Sequence, residues 1–229
     1  RDYCARRERD VRQIGFQETD IVSIFAPVTK YIHQITDPST IRYHLEKAVH
    51  MAFEGRPGTV LIDIPDDLQR TQVDHDDMPG FSSPPPKGHQ EKLFFEAIAL
   101  LQHLVKAERP VLVLGGGLTT PRVGAPLLEL VERLGIPVLQ TWAGLDQMPH
   151  DHPLRVGPFG VYGPRLGNYV IQNADFILCL GTRLSQNVTG GILNSFARAA
   201  TIAMVDASMG EMSKFDGRGI DIELRVHAR

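Results

Sequence analysis

The stretch "RPVLVLGGGLTTP", residues 109–121, decides the fold. Val111 to Leu114 are continuously apolar, the pattern of a strand buried on both faces. The chain then turns on Gly115, Gly116 and Gly117. Upstream, "LFFEAIALLQHLVKAE" predicts an amphipathic helix, and downstream "RVGAPLLELVERLG" predicts another. "IPVLQTW" reads as a strand, "YGPRLGNYVIQNA" as helical in its second half, and "DFILCLGTRL", "TIAMVDAS" and "IDIELRV" as strands. Strands alternating with helices predict an α/β domain, a parallel sheet covered on both faces. Right-handed crossovers make it a Rossmann-like doubly wound sheet. This domain occupies residues 93–229, without internal repeats.

Residues 1–72 read differently. "QETDIVSIFAPV" predicts a short helix capped by Thr19 or Asp20, and "TKYIHQI" a short strand. "DPSTIRYHLEKAVHMAFEG" predicts a helix with Ser39 as N-cap, Gly55 at its C-terminal end, and an apolar stripe of Ile41, Leu45, Ala48, Val49 and Ala52. "TVLIDI" reads as a buried strand that Pro65 terminates, since proline has no N–H to donate. Two strands and two helices are few for independent stability. Residues 73–92, rich in Pro, Asp, Gly and Ser, read as a linker with an extended "SSPPPK".

Composition excludes several classes. The 229 residues are 42% hydrophobic and 22% charged, with a formal net charge of −3, as in an ordinary globular protein. No basic footprint for nucleic acid or an anionic membrane is present. No apolar run approaches the roughly 20 residues of a membrane span. Cys4 and Cys179 are the only cysteines, so a disulfide framework is not expected and a reducing cytoplasmic setting is the default.

The glycine turn reads equally as a phosphate approach at a helix N-terminus and as a tight packing turn. It is not a full dinucleotide fingerprint. Thr120 holds the third glycine position, and "IPVLQT" ends without the acidic residue that grips an NAD ribose, which argues against hydride chemistry. Gly163 and Arg165 open a helix, and Gly181 and Arg183 follow a strand end, where open α/β sheets bind ligands; two arginines there suit a phosphate, or are surface ion-pair formers. Asp206, also at a strand end, reads as a ribose acceptor or a turn residue. "HDH" at residues 150–152 reads as a loop rather than a metal site. Cys179, Trp142 and the methionines read as packing residues.

As a set, "GFQETDIVSIFAPVTKY", "EGRPGTVLIDIPDDLQ", "RPVLVLGGG", "GVYGPRLGNYVIQNADFILCLGTRLSQNVTG" and "IAMVDASMGEMSKF" resemble thiamine diphosphate enzymes of the acetolactate synthase (acetohydroxyacid synthase)-like family. The resemblance implies the end of a pyrimidine-binding domain over residues 1–72 and the central domain over residues 93–229. The intact enzyme would decarboxylate a 2-oxo acid and transfer the two-carbon unit to an acceptor, using thiamine diphosphate and Mg²⁺. Glyoxylate carboligase, sulfoacetaldehyde acetyltransferase and 2-oxo-acid decarboxylases share these motifs. The segments that hold the cofactor and metal would lie before residue 1 and after residue 229, leaving no catalytic or metal residue here and the piece inactive by itself. A homodimer or tetramer acting on small 2-oxo acids, without nucleic acid or membrane, is also implied.

By position, Phe16, Gln17 and Lys30 match substrate-channel residues. Gly115, Gly116, Gly117, Thr141, Gly163, Arg165, Arg183 and Asp206 fall where FAD or ADP would bind. Flavin-using synthases carry Met-His where Val161 and Tyr162 stand here, and Phe-Asp-Asp-Arg where "LSQN" stands. The alternative reading is a non-catalytic Rossmann-like module that senses a nucleotide.

Overall fold

A computed structural model describes residues 15, 18–84, 90–119, 124–214 and 221–225, apart from the side chains of 90–92, 124–125 and 222–225. The chain divides into two compact units, one within residues 1–87 and the other within 88–227.

In the first unit, α1 (Ile21–Phe25) starts where the Asp20 carboxylate accepts the Ser23 N–H. The strands β1 (Tyr31–Gln34) and β2 (Val60–Asp63) flank α2 (Ile41–Phe53) in the chain and pair in parallel, a βαβ unit. Gln34 Nε2 donates to Asp63 Oδ2 at 2.7 Å across the strand ends. A short α3 (Asp66–Gln69) follows Pro65.

Two sequence expectations are corrected here. Asp37, not Ser39, caps the approach to α2: its carboxylate accepts both the N–H and the hydroxyl of Ser39. Aspartate outcompetes serine because its charged oxygen takes both donors. The α2 stripe is also only partly covered. Ala48 is buried, while Leu45 and Val49 are exposed. Gly55 takes φ +61°, as a helix-terminating glycine does.

The segment after α3 lacks regular structure, yet it is not a free tether. Arg42, Glu46 and His50, one α2 face at i, i+4 and i+8, hold it. Arg42 donates to the carbonyls of His75 and Met78, Glu46 accepts the Phe81 N–H, and His50 meets the Ser83 hydroxyl. The Phe81 ring lies edge-on to Tyr43, and Met78 is buried.

The second unit begins with α4 (Gln90–Lys106) and carries six strands: β3 (Pro110–Leu114), β4 (Val138–Gln140), β5 (Arg155–Pro158), β6 (Phe176–Leu180), β7 (Thr201–Asp206) and β8 (Ile222–Arg225). Between them lie α5 (Gly124–Leu134), α6 (Arg165–Asn173), α7 (Gln186–Thr189) and α8 (Met209–Met212). All pairings are parallel, and the order is β5-β4-β3-β6-β7-β8. The chain winds outward from β3 to β5, then returns beside β3 and winds the other way. Such a doubly wound sheet has its switch point between its first and fourth strands, here β3 and β6.

Alternate strand residues point to opposite faces. Val111, Val113, Ile177, Cys179, Ile202 and Met204 pack with Phe159, Ile171 and Phe196 on one side. Leu112, Leu114, Val138, Phe176, Leu178 and Ala203 pack with Leu100, Leu104, Leu127 and Val131 on the other. This two-sided burial is why the strands read as continuous apolar runs. Burial pushes the Cys179 thiol far above its ordinary range, so it is inert core. Unlike a simple amphipathic helix, α4 also leaves Phe94, Ile98, Leu101 and Val105 exposed.

One strand has no sequence signal. β5 is Arg-Val-Gly-Pro, with a register shift against β4 and Gly157 at φ +102°. A bulged edge strand needs neither alternation nor a full hydrogen-bond ladder, so it escapes pattern reading.

Two predictions follow from this packing. A Cβ on Gly167, inside α6, would lie 2.1 Å from the Pro158 carbonyl oxygen. Gly167→Ala should therefore destabilise the protein by about 1–3 kcal/mol, measured by chemical denaturation. In the first unit, His33 and His44 stack with centroids 3.6 Å apart, and the Tyr31 hydroxyl meets His44 Nδ1 at 2.6 Å. Tyr43 packs edge-on to His44, and the Lys47 ammonium sits 5.0 Å from the Tyr31 ring centre. Partial burial, then the neighbouring positive groups, hold both imidazole pKa values below the usual 6.5. Groups with lowered folded-state pKa contribute fully above the unfolded value of about 6.5 and lose that contribution as pH falls below it. Urea midpoints should fall on acidification below about pH 6.5, and His44→Phe should flatten that slope.

Candidate functional site

The candidate site lies at the carboxyl ends of the strands in the second unit. Its centre is a backbone-to-backbone contact at the switch point. Gly115 N–H donates to the Leu180 carbonyl at 2.9 Å, and Gly117 N–H to the Gly181 carbonyl at 2.8 Å. A Cβ on Gly115 would fall 2.3 Å from Gly181 O, and one on Gly117 2.8 Å from the same oxygen. A Cβ on Gly116 would meet Ala143 at 2.7 Å. Close packing alone therefore accounts for all three glycines. Because Gly115 and Gly117 spend their N–H groups inside the protein, those two donors do not face a ligand.

That contact places the remaining strand ends. Gly181, at φ +58°, donates its N–H to Val205 O and so ties the β6 end to β7. The next turn holds Leu184 at φ +44°, buried, with its N–H donated to Thr182 Oγ1. Arg183 projects from it half exposed, its Nη1 4.0 Å from Glu211 Oε1, beyond hydrogen-bond length. Glu211 also pairs with Lys214. Asp206 accepts the Ser208 N–H at 2.9 Å, the turn geometry of an aspartate before a helix.

On the other flank, Thr141 donates its N–H to Leu114 O and begins the 3₁₀ segment Trp142–Gln147. Gln140 is completely buried. It donates to the Gly144 and Leu145 carbonyls and accepts from Arg155 Nε at 2.8 Å, which fixes this segment against β5. Gln147 donates to Thr119 Oγ1 and closes the segment onto the glycine turn. Gly163 ends a turn opened by Gly160, whose carbonyl accepts its N–H at 3.0 Å, and a Cβ there would lie 2.4 Å from Phe159 Cα. Arg165 is the exposed first residue of α6.

The structure thus gathers Gly115, Gly116, Gly117, Thr141, Gly163, Arg183 and Asp206 along one sheet edge. It also corrects the packing expectation for Trp142. This side chain is 55% exposed and packs against Tyr162, itself 68% exposed, with ring centres 4.9 Å apart and the ring planes tilted by 35°. Two exposed aromatic rings thus meet near the glycine turn. Neither Gln140 nor this pair carries a motif, and only the β4–β5 neighbourhood brings them together.

Lys30 belongs to the first unit. Its ammonium donates to the carbonyls of Glu54 and, at 2.9 Å, Arg56, and its stem fills the space that a Cβ on Gly58 would need. It staples the "EGRPG" turn to the start of β1, a use that neither the channel reading nor a solvated lysine foresaw. Phe16 and Gln17 lie outside the described residues. The only group of three or more potential metal-ligating side chains among the described residues is Asp74, His75 and Asp76, all exposed. His150 and His152 stand in a loop, with His152 Nδ1 accepting the Leu154 N–H. No described helix is long and apolar enough to cross a membrane.

A doubly wound parallel sheet with its switch point between β3 and β6 defines a Rossmann-like α/β domain. Its family is more specific. The chain belongs to the family described as thiamine pyrophosphate enzyme, central domain, whose model matches residues 98–226. It is 36% identical over 208 residues to a probable acetolactate synthase large subunit of Methanocaldococcus jannaschii, covering 87% of this chain and 34% of that protein. It is 39% identical over 211 residues to probable acetolactate synthase 2, chloroplastic, of Oryza sativa subsp. japonica, covering 89% and 31%. With the acetolactate synthase large subunit of Corynebacterium glutamicum it shares 35% over 205 residues, covering 87% and 32%. The chain therefore spans about a third of the length of these relatives.

Lys30→Met should cost about 1 kcal/mol by removing a charged donor from two carbonyls. Hydrogen exchange at the Gly58 amide, which donates to Ala52 O, should accelerate, since this bond closes the same turn.

Proposed function

We propose that the intact protein is a thiamine diphosphate-dependent enzyme of the acetolactate synthase type. It decarboxylates a 2-oxo acid and transfers the two-carbon unit to a second small-molecule acceptor. The observation that carries this reading is the 35–39% identity to acetolactate synthases over 87–89% of the chain. Thiamine diphosphate, with Mg²⁺, supplies the electron sink for the decarboxylation. No residue of this chain is assigned to that cofactor or metal. In this reading residues 1–72 are the end of the pyrimidine-binding domain, 73–92 the connection, and 93–229 the central domain of a cytoplasmic homo-oligomer. Phe16, Gln17 and Lys30 are proposed for the substrate channel, with Lys30 acting through the turn that it holds.

The central domain contributes a nucleotide site, for FAD or ADP, in this proposal. Support comes from the half-exposed Arg183 guanidinium and from the exposed aromatic pair beside the glycine turn. Arg183 would face the phosphates and Asp206 the ribose. Thr141, Gly163 and Arg165 would line the rim. The glycines serve by letting the β3 and β6 turns close up beneath the ligand. A purely sensory nucleotide module is the second reading, and it would use the same strand-end groups.

Acetolactate formation from pyruvate by the full-length protein, with thiamine diphosphate and Mg²⁺ added, tests the activity. No product and no carbon dioxide release would overturn it. For the nucleotide site, titration calorimetry with ADP should show Arg183→Ala weakening binding about tenfold, the effect of one charged phosphate contact. Unchanged affinity would return Arg183 to a surface partner of Glu211.

A further inference from the structure

Resting on the nucleotide reading, we propose that Asn168 is the positioning residue of the aromatic platform. Its amide holds the turn that sets Tyr162 against Trp142, and the base of the nucleotide stacks on that pair.

The observation is a three-bond clamp. Asn168, on α6, accepts the Gly160 N–H through Oδ1 at 2.8 Å. Through Nδ2 it donates to the carbonyls of Gly160 at 2.9 Å and Gly163 at 3.2 Å. Only a carboxamide of this length both accepts and donates here: aspartate cannot donate, and leucine does neither. The clamp spans the two residues between those glycines, Val161 and Tyr162, so it fixes where the Tyr162 ring begins.

Independent contacts hold the same turn. Val161 N–H donates to Asn187 O at 2.8 Å, and a Cβ on Gly160 would lie 2.3 Å from that same oxygen. Gly160 also holds φ +98°, a conformation that side-chain-bearing residues avoid. The partner ring is fixed separately, because Trp142 follows Thr141, whose N–H is bonded to Leu114 O. Two separately anchored segments therefore present their rings to one another at the rim, with most of each surface left open. A buried pair would be core. This one is exposed beyond the carboxyl ends of β4 and β5, the side where ligands of open α/β sheets lie.

Trp142 is the only tryptophan in the chain, so its emission reports the platform directly. The experiment compares wild type, N168D, Y162L and the double variant in the full 229-residue chain, by Trp142 emission, near-ultraviolet circular dichroism, and titration with ADP and with FAD. N168D keeps the side-chain volume and one acceptor, so it tests the clamp even if N168A does not fold. A far-ultraviolet spectrum matching wild type is the folding control. The expected result is a shift in Trp142 emission in N168D that matches that of Y162L and is not additive in the double variant. ADP affinity should fall about tenfold with the displaced contact. Unchanged Trp142 emission in folded N168D overturns the proposal, as does a shift that adds fully to that of Y162L. If N168D moves the emission while wild type binds neither ADP nor FAD, the nucleotide reading fails and the positioning of the pair by Asn168 stands.

Discussion

The second unit depends on the contact between the Gly115–Gly117 turn and Gly181. Here the two halves of a doubly wound sheet meet, and they meet backbone to backbone. Two hydrogen bonds and three positions without side chains make the approach possible. Everything on the carboxyl edge is measured from this point. The β7 end is tied to Gly181, the Trp142 segment is tied to Leu114 and Thr119, and Arg183 leaves the turn that follows. A methyl group at Gly115 would push β3 and β6 apart and displace the segments on both sides of the junction together.

Around this junction, irregular segments are held by buried or half-buried amides rather than by periodic structure. Gln140 ties the Trp142 segment to Arg155, and Asn168 ties the Tyr162 turn to α6. An amide suits this work because it donates and accepts at once, and so satisfies both halves of a peptide group in a loop. Lys30 does a related task in the first unit with two carbonyls and no acceptor. These three side chains are what convert flexible connections into fixed geometry. Gln140 and Asn168 hold the two segments that carry the exposed Trp142 and Tyr162 rings.

The proposed nucleotide site is an edge rather than a pocket. Glycines that invite a phosphate reading in the linear chain are consumed by packing. The groups left facing outward are an arginine and two aromatic rings. In the proposed reading, charge and aromatic surface take the place of a cradle of main-chain donors, with Arg183 and Tyr162 exposed at this edge.

The regular elements were legible from sequence because their periodicity comes from burial. "VLVL", "FILCL" and "IAMV" are continuously apolar since both faces of the sheet are covered, and the resemblance added the family. β5 was not legible, because a bulged edge strand of Arg, Val, Gly and Pro carries no pattern. Nor was the choice of Asp37 over Ser39 as cap, which depends on which oxygen reaches both donors. The sequence by itself determined the strand order's ingredients, the glycine positions and the candidate arginines, since these follow from local chemistry and spacing. Only the tertiary structure decided that Gly115 and Gly117 face Gly181, that Trp142 is a surface ring and not core, and that Asn168 and Gln140 govern the rim. Those facts come from neighbours supplied by distant strands, whose approach no local pattern encodes.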